Sequence, residues 1–213
     1  MIYEMRTYTL KSRSVAVVEE RFEKALPERV RLSRLGAFWH TEVGVLNQII
    51  VVWPYESIAE RDRIRAAANE VEGWPPDIRE FIVEQESRIL IPAPFSPPLE
   101  PRRLGNLYEI RTYHYPAGAI PDVIRSWSEI IDERVKYSPL VAAWYSEAGP
   151  VHEWVHIWAY RNADERERIR EATAKAGIWP ISVVDQRLKR APQAVSLRMQ
   201  NTLVVPARFS PLH

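Results

Sequence analysis

A stretch near the start of this chain returns near its middle, and that repeat limits the fold more than any other feature. Tyr3-Glu4-Met5-Arg6-Thr7-Tyr8 comes back as Tyr108-Glu109-Ile110-Arg111-Thr112-Tyr113, an offset of 105. The same offset carries Glu28-Arg29-Val30 onto Glu133-Arg134-Val135 and Trp39, Glu42 and Gly44 onto Trp144, Glu147 and Gly149. It also carries Trp53 and Tyr55 onto Trp158 and Tyr160, and Trp74-Pro75 onto Trp179-Pro180. Phe95-Ser96-Pro97 and Phe209-Ser210-Pro211 match at an offset of 114, so the second half carries about nine extra residues, expected over Leu188 to Val195. A fixed period of this length marks one supersecondary unit used twice.

Within a unit the periodicities change in a readable order. Residues 1–10 alternate as a strand, and Ser14 to Leu35 then sets Val15, Val18, Phe22, Leu26 and Val30 at helical spacing. The second half does the same from Ile120, with Pro121 suited to a first helical turn. Two strands turn at Gly44, and again at Gly149-Pro150. Ser57 with Glu60, and Asn162 with Glu165, have the spacing of a capping box that opens a second helix. A short helical turn after Trp74-Pro75 and a strand from Gln85 to Ile91 complete the unit. The order β-α-β-β-α-β is that of the ferredoxin-like unit. The expected fold is therefore α+β, with two tandem ferredoxin-like units closing into a pseudo-dimeric α/β barrel. The units are expected at 1–91 and 105–213. Between them, 92–104 carries prolines 92, 94, 97, 98 and 101 and reads as a stiff spacer.

A four-stranded sheet with both helices on one face leaves its other face bare, and water-soluble chains do not leave a large apolar face uncovered. Two units in one chain can cover each other at high effective concentration. Alternation then divides each strand into two faces. Val155, Ile157 and Ala159 are plain apolar residues suited to packing under helices. His152, Trp154, His156, Trp158 and Tyr160 form a polar-aromatic stripe expected to face the barrel interior. Glu4, Arg6 and Tyr8, with Glu109, Arg111 and Tyr113, are expected inside it or at its rim. These triplets read either as structural ion pairs or as a substrate-orienting arginine beside proton-moving groups.

Composition removes several function classes. Net charge is +1 with the signs interspersed, so no basic stripe for nucleic acid is present. There are no cysteines, hence no disulfide, thiolate ligand or cysteine nucleophile. His152 and His156 on one strand would stand roughly 13 Å apart, too far to share a metal. No metal and no cofactor are expected. Charges within the first six residues speak against a secretory signal, and no apolar run has the length of a membrane span. A cytoplasmic location is the expectation. The Arg-rich runs Glu60-Arg61-Asp62-Arg63 and Glu165-Arg166-Glu167-Arg168 read as solvated helix faces.

The repeated Tyr-Glu-x-Arg-Thr-Tyr, the Trp-x-x-Glu-x-Gly at 39–44 and 144–149, the Ala-Glu-Arg at 59–61 and the His-x-Trp-x-Tyr at 156–160 resemble the NIPSNAP family along the whole chain. The resemblance implies a dimeric α/β barrel. That superfamily includes cofactor-independent monooxygenases, haem-binding and haem-degrading proteins and small-molecule isomerases. This sequence departs from the family pattern at Val51, where the family histidine would fall, so one site rather than two is implied.

The resulting expectation is a small-molecule-binding protein whose barrel interior holds an apolar or anionic ligand, with oxygenase or isomerase chemistry left open. Arg6 and Arg111 would anchor the ligand and His156 would accept a proton, oriented by Tyr113 and Glu109. Tyr8, Trp53, Trp154, Trp158, Tyr160, Glu42 and Glu147 would complete the binding surface. The alternatives are a non-catalytic interaction module with a filled barrel, or haem binding through His156 or His114. A homodimer of the tandem chain is a further expectation.

Overall fold

The alternating and helical stretches form the elements they predict, at nearly the same places in both halves. The structure, a computed structural model, describes residues 1–189 and 191–213. The insertion expected over 188–195 includes Arg190, which lies outside the described residues. The first unit runs β1 (Ile2–Leu10), α1 (Val15–Arg29), β2 (Ala37–Val43), β3 (Gln48–Tyr55), α2 (Ile58–Ala68), a 3-10 turn (Arg79–Phe81) and β4 (Ile82–Pro92). The second runs β5 (Leu107–His114), α3 (Ile120–Ser128), α4 (Ile131–Arg134), β6 (Leu140–Ala148), β7 (Glu153–Tyr160), α5 (Ala163–Lys175), α6 (Ile181–Arg187) and β8 (Arg198–Pro206). The first helix of the second unit is thus broken in two where α1 is continuous.

Both capping boxes form. Ser57 Oγ accepts from the Glu60 amide at 3.1 Å, and Asn162 Oδ1 accepts from the Glu165 amide at 2.9 Å. Each glutamate then reaches back to the amide of the residue before the cap, Glu56 or Arg161, at 2.6 Å. Each such cap contributes about 1 kcal/mol.

The eight strands close in the order β1-β3-β2-β8-β5-β7-β6-β4. The two units meet where β2 pairs β8 and β4 pairs β6, both antiparallel. Each unit's closing segment also crosses onto the other unit. Ser96 Oγ accepts from the Ala143 amide at 3.0 Å, while Ser210 Oγ accepts from the Phe38 amide at 3.1 Å. Phe95 packs against Trp127 and Trp154, and Phe209 packs against Phe38. The segment 92–104 is therefore more than the spacer expected from its prolines. Its Leu99 is fully buried inside the barrel, and Arg102 pairs with Leu212.

The expected assignment of strand faces is reversed. Val155, Ile157 and Ala159 point into the barrel with Met5, Ile110, Ile50, Val52 and Val204. Trp154, Trp158 and Tyr160 instead lie under the second unit's helices, as Trp53 and Tyr55 lie under the first's. Glu4, Arg6 and Tyr8 alternate with Tyr3 and Met5 on β1, so they too face the helices, as do Glu109, Arg111 and Tyr113 on β5. The physical reason is size and solvent. An eight-stranded barrel has an interior that side chains alone fill. It is shared by both sheets and has no helix residues to pair a charge, so the plain apolar parity goes there. Charged residues go to the face where helices bring counter-charges.

The interior is correspondingly occupied. Tyr3 stacks on Trp144 with ring centroids 4.4 Å apart, and Trp39 meets Tyr108 at 5.3 Å. Each pair joins one unit to the other and contributes about 0.5–1.5 kcal/mol beyond its burial. Among the described residues, no helix is long and apolar enough to cross a membrane.

Candidate functional site

Under each unit's helices the repeated acid on the first strand gathers arginines. Glu4 is wholly buried and accepts from Arg61 at 2.7 Å, Ser87 at 2.9 Å, Arg6 at 3.2 Å and Arg65 at 3.3 Å. Glu109 is equally buried. It accepts from Arg166 at 2.6 Å, Arg111 at 3.0 Å and the Tyr160 hydroxyl at 3.3 Å, with Arg170 at 3.8 Å. Burial alone would push both carboxyls up. The surrounding arginines outweigh it and hold both below the ordinary carboxylate range. The Arg-rich faces expected to be solvated are therefore partly turned inward, because Arg61, Arg65, Arg166 and Arg170 pin α2 and α5 to the sheet. Removing a buried acid from such a cluster costs about 3–5 kcal/mol, since the arginines lose their counter-charge.

Arg6 and Arg111, expected as anchors, are committed to this scaffold. Arg6 Nε donates to the Tyr8 hydroxyl at 3.0 Å and Arg111 Nε to Tyr113 at 2.6 Å, while their other nitrogens serve Glu4 and Glu109. A further arginine, marked in the sequence only as part of the repeat, stands beside this scaffold. Arg29, at the end of α1, is only 3% exposed. It lies over the Trp53 ring at 4.1 Å and donates to Tyr55 at 3.1 Å and Ser33 at 2.9 Å. No carboxylate stands within ion-pair distance of it among the described residues. Burial holds its guanidinium pKa down. Arg134 repeats the arrangement over Trp158 at 3.9 Å, with Ser138 at 2.9 Å.

The two units differ in the space beside these arginines. In the first, a pocket of about 240 Å³ opens between β1, β3, α1 and the Trp74 turn, walled by Phe22, Trp53 and Trp74 with Arg29 on its side. In the second, Trp53 and Trp74 recur as Trp158 and Trp179, but Phe22 is replaced by the larger Trp127. On the same strand face, outside the pocket lining, Ile49 and Val51 are replaced by Trp154 and His156. Trp127 sits 4.7 Å from both His156 and Trp179 and 5.1 Å from Trp154. These rings pack directly against one another on the second unit's helix-facing sheet surface.

His156 was expected to accept a proton from a ligand in the barrel. It is 0% exposed, faces the helices, and lies among the rings of Trp127, Tyr113, Trp158 and Trp179 at 4.7–6.3 Å. Burial, then the charges of Arg111, Arg134 and Arg170, hold its pKa well below the ordinary histidine value, so it is neutral. Trp158 Nε1 donates to its Nδ1 at 2.8 Å. An indole nitrogen is only a donor, so the imidazole proton must sit on Nε2. Its one lone pair is thus already used, and it has none to act as a base. The enclosing rings also leave no room for a haem. His114 is paired to Glu153 at 2.9 Å and to Arg198.

Of the other expected residues, Tyr8 and Trp53 line the first unit's pocket, whereas Trp154, Trp158, Tyr160 and Tyr113 belong to the filled second unit. Glu42 and Glu147 are exposed near the outer ends of β2 and β6, away from both arginines. His152 is not on β7. It sits in the preceding turn with φ +60°.

Comparison with known proteins agrees with the repeat. The NIPSNAP family model matches residues 3–97 and again residues 108–211. A protein of Dictyostelium discoideum named as a NipSnap homolog is 29% identical over 186 residues, covering 84% of this chain and 78% of its own. Mouse NipSnap homolog 3B is 28% identical over 221 residues, with 99% and 85% covered. A crystal structure from Lactobacillus acidophilus, provisionally named a monooxygenase, superposes over 96% of this chain and 92% of its own. Its TM-score is 0.62 at 11% identity, so the likeness is one of fold.

Proposed function

The chain belongs to the NIPSNAP family, and from that premise we propose that it binds one compact small molecule per chain, beneath the helices of its first unit and outside the barrel interior. The observation that carries this reading is the contrast at one repeated position. Phe22 lines about 240 Å³ beside Arg29 in the first unit, where the larger Trp127 packs on Trp154, His156 and Trp179 in the second. The volume lies below the roughly 300–1,000 Å³ of pockets for drug-sized ligands, so the occupant is small. Aromatic walls with a few placed polar groups are what such sites use.

The reading is one of binding. Oxygenase or isomerase chemistry needs a group free to take a proton, and the nearby candidates are engaged. Glu4 is held ionised by four donors, and the Tyr8 hydroxyl already accepts from Arg6. An interaction surface on the Arg-rich helices gains no support from Arg61, Arg65, Arg166 and Arg170, which face the buried acids.

The test is a fragment screen by thermal shift on the wild type and on Phe22→Trp, which imitates Trp127. A ligand that binds only the folded state raises Tm by mass action. Hits should shift the wild type and lose their effect in Phe22→Trp. Hits that survive the substitution unchanged would place binding elsewhere.

A further inference from the structure

We infer that the occupant of the first unit's pocket is a carboxylate on a flat apolar body, with its anionic end taken by Arg29. The inference rests on the proposed binding pocket and names the chemistry of its ligand.

Charge is the first ground. The side chains lining the pocket include Arg6, Arg29, Arg65 and Arg79 against a single acid, Glu4. Glu4 is already spent on Arg61, Arg65 and Arg6, and Arg79 is exposed and paired with Asp77, so the buried positive charge left over is that of Arg29. Arg29 is the cation in that set that is both buried and without a carboxylate partner among the described residues. A buried, unneutralised guanidinium is costly, and an incoming anion would offset that cost.

The repeat supplies an internal control. Arg134 has the same stacking and the same serine, but its unit is filled. There the Tyr160 hydroxyl donates to Glu109 at 3.3 Å, tying the phenol to the buried carboxylate. In the first unit Arg29 donates to Tyr55, and no bond from Tyr55 to Glu4 is formed among the described residues. The second unit thus ties the phenol beside its arginine to the buried acid, and the first leaves Tyr55 without that tie.

Geometry narrows the class further. A guanidinium has five N–H donors in a planar fork. Ser33 and Tyr55 take two from Arg29, which leaves enough to hold a carboxylate with both oxygens. The Trp53 face is occupied by Arg29 itself, so the walls are not an open cage for a cationic ligand. Phe22 and the edge-to-face Trp53–Trp74 pair, 6.0 Å apart, leave a narrow apolar space suited to a ring or a short branched chain.

Calorimetric titration of the full chain with four probes tests this: benzoate, its neutral isostere benzamide, benzylamine and inorganic phosphate. Benzoate should bind at least tenfold tighter than benzamide, with benzylamine and phosphate weaker still. Arg29→Met should erase the preference for benzoate, and Arg134→Met should keep it. If benzamide or benzylamine matches benzoate in the wild type and Phe22→Trp abolishes that binding, the pocket stands and the carboxylate inference is overturned. Phosphate matching benzoate would overturn the flat apolar body while leaving the anion site. Probe binding that Phe22→Trp leaves intact would overturn the pocket itself, and the inference with it. Should Arg29→Met fail to fold, the wild-type probe series still decides.

Discussion

The two units of this chain share their scaffold and differ where a ligand would sit. Both keep the buried acid with its ring of arginines, the capped second helix, the arginine stacked on a tryptophan, and the closing segment that crosses to the other unit. They differ beside the stacked arginine, where Phe22 corresponds to Trp127, and on the neighbouring strand face, where Ile49 and Val51 correspond to Trp154 and His156. Duplication lets one copy fill its pocket and serve stability while the other keeps it open. The histidine that looks most like a catalyst lies in the filled copy, and the plain valine marks the open one.

The largest expected effect tests the shared part. Glu4→Gln and Glu109→Gln should each destabilise by about 3–5 kcal/mol in urea titrations, because each strands a buried cluster of arginines. A loss confined to one unit would break the equivalence of the two clusters. The same acids set a pH dependence. Their folded pKa values lie below the unfolded value of about 4.3, so the unfolded chain binds more protons. Their stabilisation is complete above that pH and is lost as pH falls through the folded values. Urea midpoints followed from pH 7 downward should show this acid loss, and the double Gln variant should flatten it.

Opening the filled unit comes next. Trp127→Phe with His156→Val should cost roughly 2–4 kcal/mol, a loss of packed volume and contacts. It should also raise the calorimetric stoichiometry for benzoate from one to two. Unchanged stoichiometry would show that ring volume is not what separates the units. The reverse change, Phe22→Trp, enters space that is already open and should move stability by less than about 1 kcal/mol, below the usual cost of overpacking a full core. A urea titration showing a larger loss would mean that the space beside Phe22 is not free.

The smallest effect concerns a place where the first unit has a charge pair and the second does not. His40 Nδ1 lies 2.8 Å from Glu19, where the second unit has Tyr145 and Ile124. The bond to Glu19 raises the His40 pKa despite burial. Its stabilisation is full below the unfolded value of about 6.5 and is lost as pH rises through the folded one. His40→Gln should remove under about 1 kcal/mol at pH 6 and less at pH 9, read from urea midpoints at the two pH values.

Element order was legible because it depends on local period and on the repeat, and the capping boxes formed as their spacing implied. Which face of each strand points inward was not. Period two separates Val155 from His156 but carries no sign, and the sign depends on what covers each face. The arginines that neutralise Glu4 and Glu109 come from α2 and α5, 57 residues further along the chain. The signal for Arg29 was present in the helix itself. Val18, Phe22, Leu26 and Arg29 fall on one apolar stripe and are all buried, and Arg134 repeats the position. A charged residue in phase with a core stripe, twice over, marks a buried cation. What the pocket would hold had no signal of its own, because among its aromatic walls only Phe22 is smaller than its counterpart.

The eight tryptophans provide the most direct test, since they divide among the three compartments. Trp39 and Trp144 are in the barrel, Trp53 and Trp74 in the first unit, and Trp127, Trp154, Trp158 and Trp179 in the second. Indole N–H resonances, assigned by single Trp→Phe variants, can be followed by NMR through a titration with benzoate and with benzamide. The account predicts saturable shifts at Trp53 and Trp74 while the other six stay in place. Shifts centred on Trp39 and Trp144, or on the four tryptophans of the second unit, would contradict it.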